Sequence, residues 1–394
     1  MSMDTAERLP FHNPVRTAMA FPATATVQPR LPPPAKYTRD SIRHFLRQLG
    51  ITEPIVIHEQ DYERFLEEKG IKELGRGGEA TVYFLRGHVV KVAQPDSVPA
   101  VLRETAHMLL LNRIASGAAA VGERTRVDYP TLLWVYALSD GSVSIGMKPF
   151  DSQGTGATGA TLYEHLVAGP ALERLRTLDS IRHIGRSLVY LHRSGIIHHD
   201  LKPANIYIPS DPRQPPVIFD LAQALWRQPS WGRDWLNHDY NNIYWYNGTY
   251  RYMHYQRRVA HLAALAKVSK QEPTASQAAA FNRYRPSFYD DVFAFARILY
   301  DMVHSMNTWL SAHDRAALRK FYRHLMSLKQ ETVRVSPKKS SAILDRIRKV
   351  MGASSPPVEH VDPHEPPVIS MEDVQPALEQ VISGLLHASP ECPE

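Results

Sequence analysis

The sequence predicts an α+β fold with two lobes, because its strand patterns and its helix patterns occupy separate parts of the chain. Residues 71–93 and 130–150 alternate apolar and polar side chains as strands do, with a helical stretch at 97–116 between them. Later in the chain, apolar residues recur at helical spacing over about 171–194, 290–305, 311–329 and 339–351. We therefore expect a first lobe with an antiparallel sheet and one helix, and a second, mostly helical lobe.

Composition agrees with a globular protein and excludes several classes. The 394 residues are enough for a two-lobed domain with appendages, and the hydrophobic fraction of 43% is ordinary. The net charge is +6, but no run of Lys and Arg is dense enough to predict nucleic-acid binding. The single cysteine, Cys392, excludes a disulfide framework and a cysteine-based zinc site. We expect no membrane span, because no apolar run reaches the roughly 18 residues that a span needs. We also expect no Sec-type signal peptide, because the first residues lack a basic n-region and an apolar h-region.

Composition also divides the chain into segments. Residues 1–36 are rich in Pro, Ala and Thr without periodicity, which predicts a disordered leader. The segments that we expect after it are a small helical cap at 37–70, the first lobe at 71–150, the second lobe at 151–352 with an insert at 257–289, a Pro-rich linker at 353–368, and a helix with a tail at 369–394. The apolar face of that last helix either packs on its own domain or binds a partner.

A glycine-rich turn precedes a lysine in the first lobe. Gly75, Gly77 and Gly78 lie between two strand-like runs, where glycine lets backbone amides approach phosphates without a Cβ in the way. On the next strand, alternation places Lys91 on the inward face, which is costly unless the ammonium meets an anion. Nucleotide phosphates or a helix carboxylate would serve, and Glu104 on the following helix is the best carboxylate candidate.

The most specific motif is the sequence HHDLKPAN at residues 198–205, followed by VIFD at 217–220. It places Asp200, Lys202 and Asn205 on one short loop and Asp220 at the end of an apolar run. Phosphoryl transfer from a nucleotide needs such a set: a carboxylate for the acceptor hydroxyl, a cation for the γ-phosphate, and oxygen ligands for magnesium. A second interpretation, in which His198, His199 and Asp200 bind a metal, is weaker because adjacent loop residues rarely converge on one ion.

With these motifs in this order, the chain resembles the eukaryotic-type Ser/Thr protein kinase superfamily, in an atypical form, from about residue 71 to at least residue 305. The resemblance implies a bilobal protein-kinase-like fold. It also implies a serine/threonine protein kinase that depends on ATP and Mg²⁺ and transfers the γ-phosphoryl group to a protein hydroxyl.

The resemblance also assigns roles to residues. Those that would contact the nucleotide are Gly75, Gly77, Gly78, Val82, Lys91, Glu104, the gatekeeper Met147, and Pro149 and Phe150 in the hinge. Asn205 and Asp220 would bind Mg²⁺. Asp200 would accept or orient the substrate hydroxyl, while Lys202 and Lys91 would stabilise the phosphate charge. Thr249, with Gly248, would lie in the segment that positions the peptide.

Several positions depart from the kinase pattern. His199 replaces the arginine that normally pairs with a phosphorylated activation loop, so we expect activity without loop phosphorylation. Ala80 and Ala222 stand where the kinase family has glycines, and Gln256 replaces a glutamate that forms an ion pair. The segment 221–256 holds four of the six tryptophans, which either pack on the helical lobe or form a docking surface for a host or regulatory protein.

Two other functions stay open at this point. The altered activation segment is compatible with a pseudokinase, which keeps the fold and regulates a partner. A small-molecule kinase of the aminoglycoside or choline type shares the aspartate–asparagine loop, although Lys202 and the Thr249 segment argue against it. The few cysteines favour the cytoplasm, and the leader and the variant motifs also resemble kinases that bacterial pathogens inject into the host cytosol.

Overall fold

The computed structural model describes residues 37–48, 57–60, 67, 70–94, 97–120, 129–150, 159–169, 171–226, 248–284, 286–327 and 369–387. The predicted leader, the predicted helix at 339–351, the Pro-rich linker and Cys392 lie outside these residues. So do the tryptophans at 231, 235 and 245, which belong to the aromatic-rich segment.

The first lobe is built on a six-stranded sheet in the order β1-β5-β6-β4-β3-β2. Its strands are β1 Ile57–Gln60, β2 Lys72–Arg76, β3 Ala80–Leu85, β4 His88–Ala93, β5 Leu132–Leu138 and β6 Val143–Met147. All neighbours pair antiparallel except β1 and β5, which run parallel. Helix α2, Val98–Ala120, packs on β5 and β6, and helix α1, Arg39–Gln48, packs on α2 and β1.

The second lobe is mostly helical. Its helices are α3 Leu162–Val167, α4 Arg174–Arg193, α5 Tyr255–Val268, α6 Ala275–Arg283, α7 Phe288–His304, α8 Ala312–Ser327 and α9 Met371–His387. The described part of this lobe contains two small sheets. One has the order β10-β9-β7, with β7 Ala160–Thr161, β9 Ile206–Ile208 and β10 Val217–Ile218, and the other pairs β8 Ile196–Ile197 with β11 Leu225–Trp226.

Helix α7 lies at the centre of the second lobe. Most of its side chains are buried, and it packs against α4, α8 and α9. At its start, the Ser287 N–H donates to Asp290 Oδ2 at 2.7 Å, and the Asp290 N–H donates to the Ser287 carbonyl at 3.0 Å, which satisfies two backbone N–H groups. A helix that is apolar on nearly all sides belongs in a core, so α7 supplies a rigid base for the loops above it.

The last helix, α9, packs on α4, so its apolar face is buried against its own chain. Val374, Leu378 and Ile382 are fully buried there. Arg174 of α4 adds to the contact, because it donates to the Leu385 carbonyl of α9 while it pairs with both carboxylate oxygens of Asp314 on α8. Of the two interpretations of this helix, the described residues agree with packing.

The predicted fold class is confirmed: an antiparallel-rich sheet is followed by a helix-rich lobe. The partly helical insert at 257–289 corresponds to most of α5 and all of α6. Within the described ranges, every helix is too short or too polar for a bilayer crossing.

Candidate active site

Lys91 lies on the middle of the sheet and faces the second lobe. Across three neighbouring strands, Val82, Lys91 and Ile145 occupy one register position, so their side chains share a face. Val90 and Val92 point to the opposite face, where they are buried in a separate apolar cluster. The alternation inferred from the sequence therefore places the ammonium of Lys91 in the cleft.

Two carboxylates from distant parts of the chain meet Lys91. Its Nζ lies 2.6 Å from Glu104 Oε2 on α2 and 3.2 Å from Asp220 Oδ1 at the end of β10. Glu104 is buried, whereas about a third of the Asp220 side chain is exposed to the cleft. Glu104 thus fixes the lysine from behind, and Asp220 remains accessible on the side of the cleft.

The pKa values of these groups reflect burial and mutual charge. Burial opposes the charged form of Lys91, but the two carboxylates outweigh it and raise the pKa of the ammonium. Burial also raises the pKa of Asp220, yet Lys91 and Lys202 together hold the pKa of that carboxyl below its usual range. Asp220 is therefore an anion at neutral pH, as an oxygen ligand for a cation must be.

The backbone at Asp220 has an uncommon conformation. Its φ of 64° and ψ of 68° lie in the left-handed region, directly before the short 3-10 turn Leu221–Gln223. The preceding residue is held in place because the Phe219 N–H donates to the Asn205 carbonyl at 3.0 Å. Left-handed non-glycine residues cost about 1–3 kcal/mol and concentrate at functional sites, where the surroundings enforce them.

The loop after β8 brings Asp200, Lys202 and Asn205 together. Lys202 Nζ donates to Asp200 Oδ2 at 2.6 Å, and Asn205 Nδ2 donates to the Asp200 carbonyl at 2.9 Å. The amide nitrogen of Asn205 is thus occupied on the side of Asp200, which leaves its Oδ1 as the group that could bind a metal.

Thr249, which lies about 50 residues later in the chain, is hydrogen-bonded to this loop. Its N–H and its hydroxyl donate to Asp200 Oδ1 at 2.7 and 2.9 Å, and it accepts from Lys202 Nζ at 3.1 Å. The carboxylate of Asp200 is therefore held in one orientation by Lys202 and Thr249 together. The sequence suggested Thr249 only as part of the peptide-positioning segment, since its contact with Asp200 depends on the fold.

The glycine turn joins β2 and β3 above the cleft. The Gly77 N–H donates to the Ala80 carbonyl at 2.9 Å, which closes the turn. A Cβ added at Gly75 or Gly78 would have no protein atom within 4 Å, so packing within the chain does not require glycine at either position. The need for glycine there would have to come from something that approaches the turn.

Glu79, at the tip of the same turn, contacts the second lobe. Its Oε1 accepts from Gln223 Nε2 at 3.0 Å. Burial and the nearby charge of Asp220 raise the pKa of Glu79, while Lys91 and Arg103 act in the opposite direction. Glu79 was not among the predicted site residues, because a glutamate within a glycine-rich turn is typical of an ordinary surface turn.

The predicted hinge lies at the end of β6. Met147 is buried at the edge of the cleft, and Pro149 and Phe150 are partly exposed. The ring of Phe150 lies 5.3 Å from that of Tyr207 and 5.5 Å from that of Phe219, measured between centroids. Tyr207 and Phe219 were not among the predicted residues, because an aromatic residue in a sequence does not show which rings it meets in the fold.

The donor set fits a magnesium–nucleotide complex. Asn205 and Asp220 carry oxygen donors of the kind that Mg²⁺ prefers, and Mg²⁺ commonly takes its other ligands from phosphate and water. Within the described residues there is no cluster of three or more His, Cys, Asp or Glu that could hold a metal by themselves. His198, the first residue of the alternative metal set, instead approaches the Phe219 carbonyl through its Nε2 at 3.1 Å.

Comparisons with known proteins point to one superfamily. A probable serine/threonine-protein kinase of Streptomyces coelicolor is 29% identical over 156 residues, which are 39% of this chain and 22% of that protein. The serine/threonine-protein kinase PknB of Mycobacterium leprae is 28% identical over 158 residues, or 39% and 24% of the two chains. Calcium-dependent protein kinase 5 of Plasmodium berghei is 25% identical over 182 residues, or 46% and 30%.

No protein-family model matches this chain. The matches span less than a third of the length of each of these relatives. They nevertheless confirm the resemblance to the protein-kinase superfamily.

Proposed function

From this resemblance and the geometry of the cleft, we propose that the chain is a serine/threonine protein kinase that transfers the γ-phosphoryl group of ATP to a protein hydroxyl. One observation carries the proposal. Two groups of polar side chains face one cleft. In the first, Lys91 lies 2.6 Å from Glu104 and 3.2 Å from Asp220. In the second, Asp200 accepts from Lys202 at 2.6 Å, and its carbonyl accepts from Asn205 at 2.9 Å.

Each side chain has a role that follows from its charge. Lys91 orients the α- and β-phosphates, and Glu104 keeps the ammonium in place. Asp200 orients the acceptor hydroxyl and accepts its proton, while Lys202 compensates the charge on the transferred group. Asn205 and Asp220 hold Mg²⁺, which when bound neutralises phosphate charge.

The base of the nucleotide would lie beside the hinge. Phe150, Tyr207 and Phe219 form a group of rings there, and aromatic faces bind planar bases by stacking. Met147 and Pro149 border the same region, and Val82 lies on the sheet face above it. Gly75, Gly77 and Gly78 cover the phosphates in this proposal.

A protein substrate is favoured over a small molecule by the Thr249 segment. Thr249 holds the carboxylate of Asp200 and belongs to the stretch that leads into α5. A segment that holds this carboxylate can also align a peptide with it. The alternative of a small-molecule kinase is tested by offering aminoglycosides and choline as acceptors.

The test is transfer of radiolabelled phosphate from ATP and Mg²⁺ to generic acceptor proteins by the full chain, followed by phosphoamino-acid analysis. We expect phosphoserine or phosphothreonine, and loss of at least about 1,000-fold in rate for Asp200→Asn and Asp220→Ala. Asp220→Ala that keeps full activity would overturn the metal assignment. Binding of ATP without transfer by the wild type would instead support the pseudokinase alternative.

A further inference from the structure

His199, the residue directly before Asp200, has a backbone conformation that its surroundings must enforce. Its φ of 67° lies in the left-handed region, which non-glycine residues rarely adopt. Its side chain is fully buried. Because Asp200 follows in the chain, any relaxation of His199 would move the carboxylate that faces the acceptor hydroxyl.

The N–H, the carbonyl and the ring of His199 each contact a residue of the second lobe. Its N–H donates to Asp291 Oδ1 at 2.9 Å, and its carbonyl accepts from Arg257 Nη2 at 2.7 Å. Its ring Nε2 lies 3.2 Å from the hydroxyl of Tyr284. Asp291 comes from the central helix α7, whereas Arg257 and Tyr284 come from the α5–α6 hairpin.

The hydrogen bonds of Tyr284 agree with a neutral His199 ring that carries its proton on Nε2. Tyr284 donates its hydroxyl proton to Asp290 Oδ1 at 3.0 Å, and His254 Nε2 lies 2.9 Å from the same oxygen. The oxygen of Tyr284 can therefore accept from a protonated Nε2 of His199. Burial, with the nearby charge of Arg257, holds the pKa of His199 well below its usual range, so the ring is neutral.

Arg257 also lies against the segment that carries Thr249. A Cβ added at Gly248 would be 2.7 Å from Arg257 Nη2 and 3.1 Å from the His199 carbonyl oxygen, and Gly248 has a φ of 125°. The guanidinium thus sits between the catalytic loop and the residue before Thr249. One side chain of α5 contacts both backbones that orient Asp200.

Apolar packing within the α5–α6 hairpin restricts the position of Tyr284. Ala260, Ala263 and Ala264 of α5 pack against Phe281 and Tyr284 in an apolar cluster of their own. The ring of Tyr284 belongs to this cluster, and its hydroxyl extends from the cluster to His199. A side chain whose ring is packed places its hydroxyl with little loss of entropy.

We propose that Arg257 and Tyr284 are positioning residues for Asp200, so that the α5–α6 hairpin is part of the catalytic apparatus. This proposal rests on the proposed kinase function. The clamp consists of Arg257, Tyr284, Asp290 and His199, and it is complete in the unmodified chain. The catalytic loop is consequently held in its active geometry without phosphorylation.

The first test is the substitution Tyr284→Phe, which keeps the ring and removes the contact to His199. We expect kcat to fall about 10- to 100-fold while KM for ATP stays within about twofold, because misplacement of a catalytic group affects the chemical step. Tyr255→Phe, at an exposed residue of α5, is the matched control and should change neither constant. An unchanged kcat in Tyr284→Phe would overturn the proposal.

A readout that does not require catalysis separates this proposal from the kinase assignment. Amide hydrogen exchange of peptides covering 196–206 should be at least about tenfold faster in Tyr284→Phe than in wild type and Tyr255→Phe, because the N–H groups of His198 and His199 are bonded to Asp291 in the held loop. Unchanged exchange would refute the clamp whether or not the wild type transfers phosphate. If Tyr284→Phe fails to fold, Arg257→Lys serves in both measurements.

A double-mutant cycle tests whether Tyr284 acts through His199. Asparagine at position 199 tolerates the left-handed backbone but is too short to reach Tyr284. If His199 and Tyr284 act as one unit, the double variant His199→Asn, Tyr284→Phe should be no less active than the less active of the two single variants. Losses that multiply would show that the two residues act separately.

Phosphatase-treated wild type should keep its full rate of transfer, because the clamp needs no phosphate group. A loss of activity would contradict independence from phosphorylation.

Discussion

At the residue scale, the cleft depends on an unequal sharing of one ammonium between two carboxylates. Glu104 is buried behind Lys91 at 2.6 Å, and Asp220 is partly exposed in front of it at 3.2 Å. A buried lysine needs a nearby anion to remain charged. Glu104 supplies one that would stay in place if Asp220, as proposed, shared its charge with Mg²⁺.

This arrangement predicts the effect of removing the charge at Glu104. We expect Glu104→Gln to lower kcat/KM for ATP about 10- to 100-fold, because a neutral amide holds the ammonium less firmly in its position. The exposed Glu59, which lies 3.9 Å from Arg39, provides the control Glu59→Gln with unchanged kinetics. Steady-state kinetics with varied ATP checks both, and equal kinetics for wild type and Glu104→Gln would contradict the role of this pair.

At the scale of elements, the last helix packs on the second lobe and contacts the histidine that is hydrogen-bonded to Asp291, the residue that holds the loop at 198–205. The Met371 N–H at the start of α9 donates to His192 Nδ1 at 2.9 Å, and His192 Nε2 lies 3.2 Å from Asp291 Oδ2. The same Oδ2 accepts from the His198 N–H at 2.7 Å. A helix about 170 residues away in sequence thus contacts the support of this loop through one histidine.

We expect Leu378→Ala on α9 to lower the free energy of unfolding by about 2–5 kcal/mol, because it opens a cavity at a fully buried position. Gly384→Ala on the same helix is the matched control. A Cβ there meets no atom within 4 Å, so we expect a gain of about 0.5–1 kcal/mol from helix propensity. Urea denaturation measures both, and a stable Leu378→Ala variant would show that α9 is not part of the core.

At the scale of the whole molecule, buried histidines should make the fold sensitive to acid. Burial, together with the charge of Arg103, lowers the pKa of His107 on α2 from 6.5 to about 4. The unfolded chain therefore takes up a proton near pH 6.5, before the folded chain does. The corresponding stability is fully present above pH 6.5 and is lost as the pH falls from 6.5 to about 4.

Protonation of His107 alone should lower the free energy of unfolding by about 3 kcal/mol over this pH range. Denaturation midpoints at pH 7.5 and pH 4.5 should therefore differ less in His107→Gln than in wild type. The exposed His313 provides the control His313→Gln, in which the difference between the two pH values should equal that of wild type. A His107→Gln variant as acid-sensitive as wild type would contradict the expectation.

Several features of the fold and of the cleft follow from the order of residues alone. The alternation around Lys91 indicated which face of the sheet the ammonium occupies, because side chains on a strand alternate whatever the tertiary structure. The separation of strand and helix patterns predicted the α+β class, and the loop at 198–205 brought three polar residues together through local spacing alone. These are short-range properties that the order of residues imposes.

Which distant residues meet depends on how the chain packs in three dimensions. Nothing in the spacing of residues 199, 257 and 284 shows that an arginine and a tyrosine from a helical hairpin hold the residue before Asp200, or that Glu79 contacts Gln223. Such contacts depend on how helices and loops pack in three dimensions, and packing is a property of the whole chain. The sequence could therefore predict the charged groups of the cleft, but not the side chains that hold them in place.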